Sequence, residues 1–133
     1  MDYVLGIFRL YADFAPLILR VVLGLAFMAH GYPKLFTSFA GTTAFFESIG
    51  LRPAKFWVLW IGILEFVGGI FLILGLFVQP LAILFMIDMF FAILLVGRKK
   101  GFVGGWEFEA TLFLIAFSLL IMGAGIFAID YPF

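Results

Sequence analysis

The chain has 133 residues, of which 66% are hydrophobic and 12% are charged, whereas soluble domains are nearer half apolar and a quarter charged. With 20 phenylalanines and a mean hydropathy of +1.28, this composition excludes a small water-soluble globule and predicts a single membrane domain over residues 1–133. The formal net charge is zero, so nothing in the composition indicates a nucleic-acid partner. Because cysteine is absent, we predict no structural disulfide, no dithiol relay and no cysteine-ligated metal cluster, and we name no metal ligands.

Four apolar runs predict an all-α integral membrane protein, an antiparallel bundle of four transmembrane helices. The predicted spans are residues 15–36, 55–78, 80–97 and 108–128. A helix needs about 20 apolar residues to cross the hydrocarbon layer, so the third span is short. Arg20 interrupts the first run and no small-x-small cleavage pattern follows it. We therefore expect a span there rather than a cleaved signal peptide.

Two further segments predict short interfacial helices, one at the N-terminus and one in the first inner loop. Residues 3–14 place Val4, Phe8 and Tyr11 on one helical face, which suits a helix lying at the membrane surface. Residues 42–49 are followed by Gly50, a candidate C-cap.

The basic residues predict the orientation of the bundle. The loops between spans 1 and 2 and between spans 3 and 4, with the adjoining span ends, carry Lys34, Arg52, Lys55, Arg98, Lys99 and Lys100. The opposite side carries only Arg9 outside the spans. Since basic loops stay on the cytoplasmic side, we predict a multi-pass protein of the cell (inner) membrane with both termini on the outer face.

Ionisable residues within the spans need a partner or a water-filled cavity. Arg20 and Asp88 lie about 9 and 12 Å from the outer ends of their spans, so we predict that they form a structural ion pair. His30 and Glu65 lie about 9 and 15 Å from the inner ends. Because no cation lies near Glu65 in its own span, where Lys55 is ten residues away at the inner end, we expect a functional role for this residue.

Helical geometry gives three of the spans one unusual face each. These faces are Arg20, Gly24, Phe27, Gly31 and Lys34 in span 1, with His30 on the flank; Gly62, Glu65 and Gly69 in span 2; and Glu107, Thr111, Ser118, Met122 and Gly125 in span 4. We expect all three faces to point inward. The candidate ligand-binding residues are then Arg20, His30, Lys34, Glu65, Glu107, Thr111 and Ser118, and the candidate proton-transfer groups are Glu65 and His30.

Several of these residues also have a structural interpretation. Lys34 is long enough to reach the inner headgroups, and His30 can donate to a backbone carbonyl in the core. Glu107 and Glu109 can be ordinary carboxylates at a helix start. The glycine spacings are more typical of helix packing than of a ligand site.

Three motifs, in order over roughly residues 15–130, resemble those of the DoxX family. They are Arg20-x3-Gly24-x2-Phe27-x2-His30-Gly31-x2-Lys34-Leu35, then Glu65-x2-Gly68-Gly69-x4-Leu74-Gly75-Leu76-Phe77, then Gly104-Gly105-Trp106-Glu107. We assign neither Asp88 nor Glu109 to the family pattern.

The resemblance implies a role in membrane-associated redox chemistry. Relatives in this family are membrane subunits of a thiosulfate:quinone oxidoreductase, and others are linked to oxidative-stress complexes. It implies a quinone or another amphipathic ligand that enters between helices from the lipid. Because the chain carries no soluble domain, we also expect other protein subunits as partners, whereas a transporter of this size would favour a homo-oligomer. The chain has no cysteine, one histidine and no dinucleotide fingerprint, so we expect at most one subunit of a quinone-linked oxidoreductase. The alternative is a non-enzymatic small-molecule or proton-coupled transporter, or an assembly subunit of a larger membrane complex.

Overall fold

The computed structural model describes residues 1–131, except for the side chain of Asp2. The α-helices are α1 (Asp2–Tyr11), α2 (Ala15–Tyr32), α3 (Phe39–Ser48), α4 (Ala54–Leu74), α5 (Val78–Leu95) and α6 (Glu107–Met122). Within the described range, four helical stretches are long and apolar enough to cross a membrane: Tyr3–Thr37, Ala54–Leu74, Val78–Leu95 and Phe102–Met122. The predicted all-α, four-span architecture is confirmed.

The boundaries of several spans differ from the predicted ones. The second span ends at Leu74 rather than at residue 78, because the chain leaves the helix at Gly75, whose φ is +76°. The fourth span ends at Met122 rather than at residue 128, because the chain leaves the helix at Gly123, whose φ of +78° lies in the region that favours glycine. The third span begins at Val78 rather than at Pro80, so the proline lies within the first turn of α5. Proline is tolerated there because the first turn has no intrahelical partner for its missing N–H.

Both predicted short helices are present. In α1, the side chains of Val4, Phe8 and Tyr11 are 57%, 70% and 63% exposed; the position of this helix at the membrane surface stays a prediction. Helix α3 begins at Phe39, three residues before the predicted start at residue 42. Gly50 follows it with a φ of +88°, as expected for a residue that terminates a helix.

Contacts between distant segments define the two ends of the bundle. At one end of the bundle, which we call the Arg20 end, the Ile129 N–H donates to the Leu74 carbonyl at the end of α4 (3.3 Å). The N–H of Val78, at the start of α5, donates to the Asp130 carboxylate at the same end (3.4 Å). At the opposite end, which we call the Lys34 end, Gly97 after α5 packs against Trp106 before α6. The long helices therefore alternate in direction.

The four long helices form two closely packed pairs, α2 with α4 and α5 with α6, while α4 and α5 contact each other much less. The core lies between the pairs. There Phe27 of α2 stacks on Phe85 of α5, with ring centroids 3.8 Å apart, beside the fully buried Leu23 and Leu119.

Glycines bring the backbones of α2 and α4 into direct contact. A Cβ atom on Gly24 would lie 2.6 Å from the Gly69 carbonyl oxygen, and a Cβ on Gly69 would lie 2.6 Å from the Gly24 oxygen. A Cβ on Gly31 would lie 2.6 Å from the backbone nitrogen of Phe66. The small-residue faces predicted for spans 1 and 2 therefore point at each other, as expected for close packing in membranes.

Because the backbones of α2 and α4 are in contact, a larger side chain at the contact should lower the stability of the protein. Gly24→Ala should destabilise the protein by about 1–3 kcal/mol, because its methyl group has to push α4 away. The matched control is Gly41→Ala in α3, where an added Cβ meets no atom within 4 Å. The stability of both variants is measured by unfolding in detergent micelles. Equal stability of the two would contradict a backbone contact between α2 and α4.

Candidate functional site

A buried ion pair joins α4 to the turn that follows α2. The Lys34 ammonium group donates to Glu65 Oε2 (2.6 Å) and to the backbone carbonyl of His30 (3.2 Å). The side chain of Glu65 is 4% exposed and that of Lys34 is 20% exposed. Lys34 lies in a wide π-type turn, Pro33–Thr37, that continues α2, and such turns are frequent at functional sites. The structure thus brings together three of the predicted site residues: His30, Lys34 and Glu65.

Two further carboxyl groups lie beside this pair. A cavity of about 200 Å³, the polar cavity, is lined by Lys34, Glu65, Asp88 of α5 and Glu109 of α6. Asp88 Oδ2 and Glu109 Oε2 are buried and have no hydrogen-bond partner among residues 1–131. Buried polar atoms are nearly always paired with protein or water, so these oxygens mark a place for water or for polar groups of a ligand.

The polar cavity adjoins a larger, apolar one. This lateral cavity, of about 400 Å³, lies between α4 and α5 and is lined by Leu51, Trp57, Trp60, Ile61, Leu64, Leu84, Ile87, Asp88, Phe91 and Leu95. Trp60, Ile87 and Phe91 are about half exposed, so the cavity opens at the surface that would face lipid. Asp88 is shared by both cavities.

A third cavity, the rim cavity of about 120 Å³, adjoins the polar cavity at the ion pair. It is lined by Lys34, Glu65 and Glu109 together with His30 and Phe108. The His30 side chain is exposed, and its ring lies 5.3 Å from the ring of Phe108. His30 therefore stands at the margin of the site, toward the Lys34 end.

The predicted ion pair between Arg20 and Asp88 is wrong. Arg20 is fully buried, and its guanidinium group donates to the carbonyls of Leu72 (3.2 Å), Ile73 (3.0 Å) and Phe127 (2.9 Å). The last carbonyls of a helix lack intrahelical partners and carry partial negative charge. Arg20 therefore anchors the end of α4 and the segment after α6, and does not line the polar cavity.

The depth of the residues explains the error. Asp88 is ten residues from the start of α5, and Glu65 is nine residues from the end of α4, which places both about 14–15 Å from the Arg20 end. Arg20 is five residues into α2, about 8 Å. Asp88 is thus level with Glu65 and about one helical turn deeper than Arg20.

The polar face predicted for span 4 is also wrong. Glu107 accepts a hydrogen bond from Gly104 N–H (2.9 Å), while the hydroxyls of Thr111 and Ser118 donate to carbonyls of α6 itself (2.8 and 2.9 Å). These three residues and Met122 lie outside the polar cavity. The inward face of α6 consists of Glu109, Leu112, Ala116 and Leu119.

Local hydrogen bonding explains this difference. Serine and threonine in a helix satisfy their hydroxyls on the preceding turn and need no polar surroundings. In contrast, Glu109 shares the i, i+3, i+7 spacing of the buried apolar residues of α6. That spacing was the signal in the sequence that places Glu109 in the site.

The fold and the site define a small four-span membrane protein with charged residues buried between two helix pairs. The family model of DoxX matches residues 15–98, which include Lys34, Glu65 and Asp88. A relative from Bacillus subtilis (strain 168), named "Putative oxidoreductase CatD", is 36% identical over 121 residues, or 91% of this chain and 87% of the relative. No solved structure matches the chain. The chain belongs to the DoxX family.

The ion pair can be tested by a double-mutant cycle. Lys34→Met should destabilise the protein by about 3–5 kcal/mol, because it leaves the Glu65 carboxylate buried without a cation. Adding Glu65→Leu should restore part of that loss, since no unpaired charge remains. Lys55→Met, at an exposed lysine, is the control. Strictly additive effects on unfolding in micelles would contradict the pairing.

The hydrogen bonds of Arg20, at the other end of the bundle, predict that even a conservative substitution lowers the stability of the protein. Arg20→Lys keeps the charge but loses the planar fork that reaches three carbonyls, so the midpoint of thermal unfolding should fall. Combined with Asp88→Asn, the two effects on unfolding should add, because the residues share no partner. Coupling between them would instead support the Arg20–Asp88 pair.

Proposed function

We propose that the protein is the membrane subunit of a quinone-linked oxidoreductase, with the quinone ring in the polar cavity and its tail in the lateral cavity. One observation carries the proposal: an apolar cavity open to the lipid side adjoins the buried charges at Asp88. An amphipathic ligand needs this combination of an apolar slot and a few fixed polar groups. The name of the Bacillus subtilis relative supports a redox role.

The residues around the polar cavity fit a quinone headgroup. Its carbonyl oxygens require donors, and an ammonium group has three N–H bonds. Lys34 uses two of them, on Glu65 and on the His30 carbonyl, so the third is available to orient the ring. The His30 side chain lines the rim cavity and not the polar cavity, so we assign it no contact with the ring.

A quinone accepts two electrons and two protons when it is reduced. The carboxyl groups of Glu65 and Asp88, on either side of the ring position, would hold and deliver the protons, the role of a general acid. The chain has no cysteine and a single histidine, so we assign the electron donor to another subunit or to a cofactor bound there.

The inner loop contributes by keeping water from the ligand. Phe45, Phe46 and Ile49, in and just after α3, line the polar cavity, and Phe46 is 7% exposed. An apolar cover strengthens the electrostatic interactions beneath it. We assign no ligand contact to Arg20, Glu107, Thr111 or Ser118, because their hydrogen bonds lie outside the cavity.

We also infer the orientation in the cell (inner) membrane. The exposed basic residues Arg52, Lys55, Arg98, Lys99 and Lys100 lie at the Lys34 end, and loops rich in lysine and arginine stay in the cytoplasm. This places the Arg20 end and both chain termini outside. A reporter fused to the C-terminus should give an extracytoplasmic signal, and a cytoplasmic signal would overturn the orientation.

Filling the lateral cavity should prevent ligand binding. We expect Leu84→Trp to abolish the binding of a short-chain quinone analogue, measured by quenching of tryptophan fluorescence in micelles or by a shift in thermal unfolding. Ile83→Trp, one residue away on the half-exposed face of α5, adds the same side chain and should bind like the wild type. Equal binding by both variants would contradict entry through the lateral cavity.

The polar end of the site has its own test. Glu65→Gln should weaken analogue binding by about tenfold, because the Lys34 ammonium group that orients the ring loses its charged hydrogen-bond partner, while Ser118→Ala should leave it unchanged. Protein purified with native lipids should retain a quinone that mass spectrometry identifies. If none is retained and analogues shift neither the wild type nor Glu65→Gln, the quinone proposal fails. Uptake of a solute by proteoliposomes would then favour the transporter alternative.

A further inference from the structure

Two glutamates in the first turn of α6 have opposite environments. Glu107 and Glu109 are two residues apart, about 200° around the helix, so they face different sides. Glu107 accepts a hydrogen bond from the Gly104 N–H in the preceding turn. Glu109 points into the bundle, where its Oε2 atom is buried without a hydrogen-bond partner in the described part of the chain.

Glu109 lies between the buried charges and the rim. It lines the polar cavity with Glu65 and Asp88, and it also lines the rim cavity with His30. Asp88 is the ionisable residue among those that line both the polar cavity and the lateral cavity. The ionisable groups therefore form a row from the lipid-side opening to the Lys34 end, and Glu109 lies in the part of the row nearer the Lys34 end.

The charges along this row do not balance when all the carboxyl groups are ionised. The groups that face Glu109 are His30 and Lys34 from α2 and its continuation, Glu65 from α4 and Asp88 from α5; α3 contributes only apolar side chains. Three carboxyl groups thus share one ammonium group. Unpaired buried charges are costly, so balance requires protons held among the carboxyl groups.

We propose that Glu109 is the proton entry residue of the site, so that protons arrive from the Lys34 end past His30 while the ligand arrives through the lateral cavity. This rests on the proposed function only in assigning the protons to a bound quinone. The separation of the two routes comes from the second cavity that each residue lines, since Asp88 lines the lateral cavity and Glu109 lines the rim cavity.

The transfer conserves charge and requires no other reactant. The O–H bond of protonated Glu109 breaks as an O–H bond forms on the carboxylate of Glu65 or Asp88. The Glu109 carboxylate then takes a proton from a hydronium ion at the Lys34 end, which becomes water. The polar cavity, at about 200 Å³, has room for water molecules of about 30 Å³ each that bridge the carboxyl groups.

Infrared spectroscopy tests the route without an electron donor. Protein reconstituted in lipid is moved from H₂O to D₂O, and the shift of the C=O stretching band of protonated carboxyl groups is followed in time. Glu109→Gln should slow this exchange by about 100-fold, within the range by which a positioned acid or base accelerates proton transfer. Glu107→Gln, the matched control on the same turn, should exchange like the wild type. Glu109→Asp, which keeps a carboxyl group, should exchange at an intermediate rate.

Two outcomes would overturn the proposal. One is exchange in Glu109→Gln as fast as in the wild type; the other is a wild-type protein without a protonated carboxyl band. Thermal unfolding shows whether Glu109→Gln is folded, and if it is not, the comparison of Glu109→Asp with the wild type decides. Binding of the quinone analogue is measured on the same samples. Slow exchange in Glu109→Gln with no analogue binding by the wild type would retain the proton route and reject the quinone.

Discussion

The direct contact between the backbones of α2 and α4 is the constraint on which the rest of the structure depends. At Gly24 and Gly69 the two helices approach so closely that neither has room for a Cβ atom. This contact sets both polar anchors. At one end it lets Arg20 reach the final carbonyls of α4, and at the other it places the Lys34 ammonium group 2.6 Å from Glu65. Helices a methyl group farther apart would strain both anchors, because hydrogen bonds weaken steeply beyond their normal length.

The tight pair explains where the cavities are. Since α2 binds α4 and α5 binds α6 so closely, the polar and lateral cavities lie between the pairs, at the α4–α5 interface. In a membrane, lipid chains can cover such an opening without the penalty that water would impose, because helix association there does not depend on the hydrophobic effect. The short turn between α4 and α5 holds these helices together at the Arg20 end only. A loosely packed interface beside a rigid pair is therefore compatible with a stable bundle and with lateral entry of a ligand.

The sequence predicted the features that follow from composition and from faces made of small residues. The four spans and the meeting of the Gly24 and Gly69 faces needed only hydropathy and helical periodicity. Prediction from the sequence failed where the hydrogen-bond partner of a polar side chain was a backbone carbonyl. Arg20 was assigned to Asp88 because side-chain charges are visible in a sequence, whereas the free carbonyls at the end of α4 are not. Ser118 was placed inward for the same reason, since its carbonyl partner lies in its own helix.

The depth of Glu65 connects the site to its supply of protons. This residue is eleven positions from the start of α4 and nine from its end, so it lies about 17 and 14 Å from the two ends of the helix. A group near the middle of a layer about 30 Å thick exchanges protons with neither surface directly. Asp88 is at the same level and cannot shorten the path. Any proton chemistry at Glu65 therefore requires a polar group between it and one surface. In the described part of the bundle, Glu65 and Glu109 are the carboxyl groups that line both the polar cavity and the rim cavity, and Glu109, two residues from the start of α6, is the one nearer the Lys34 end.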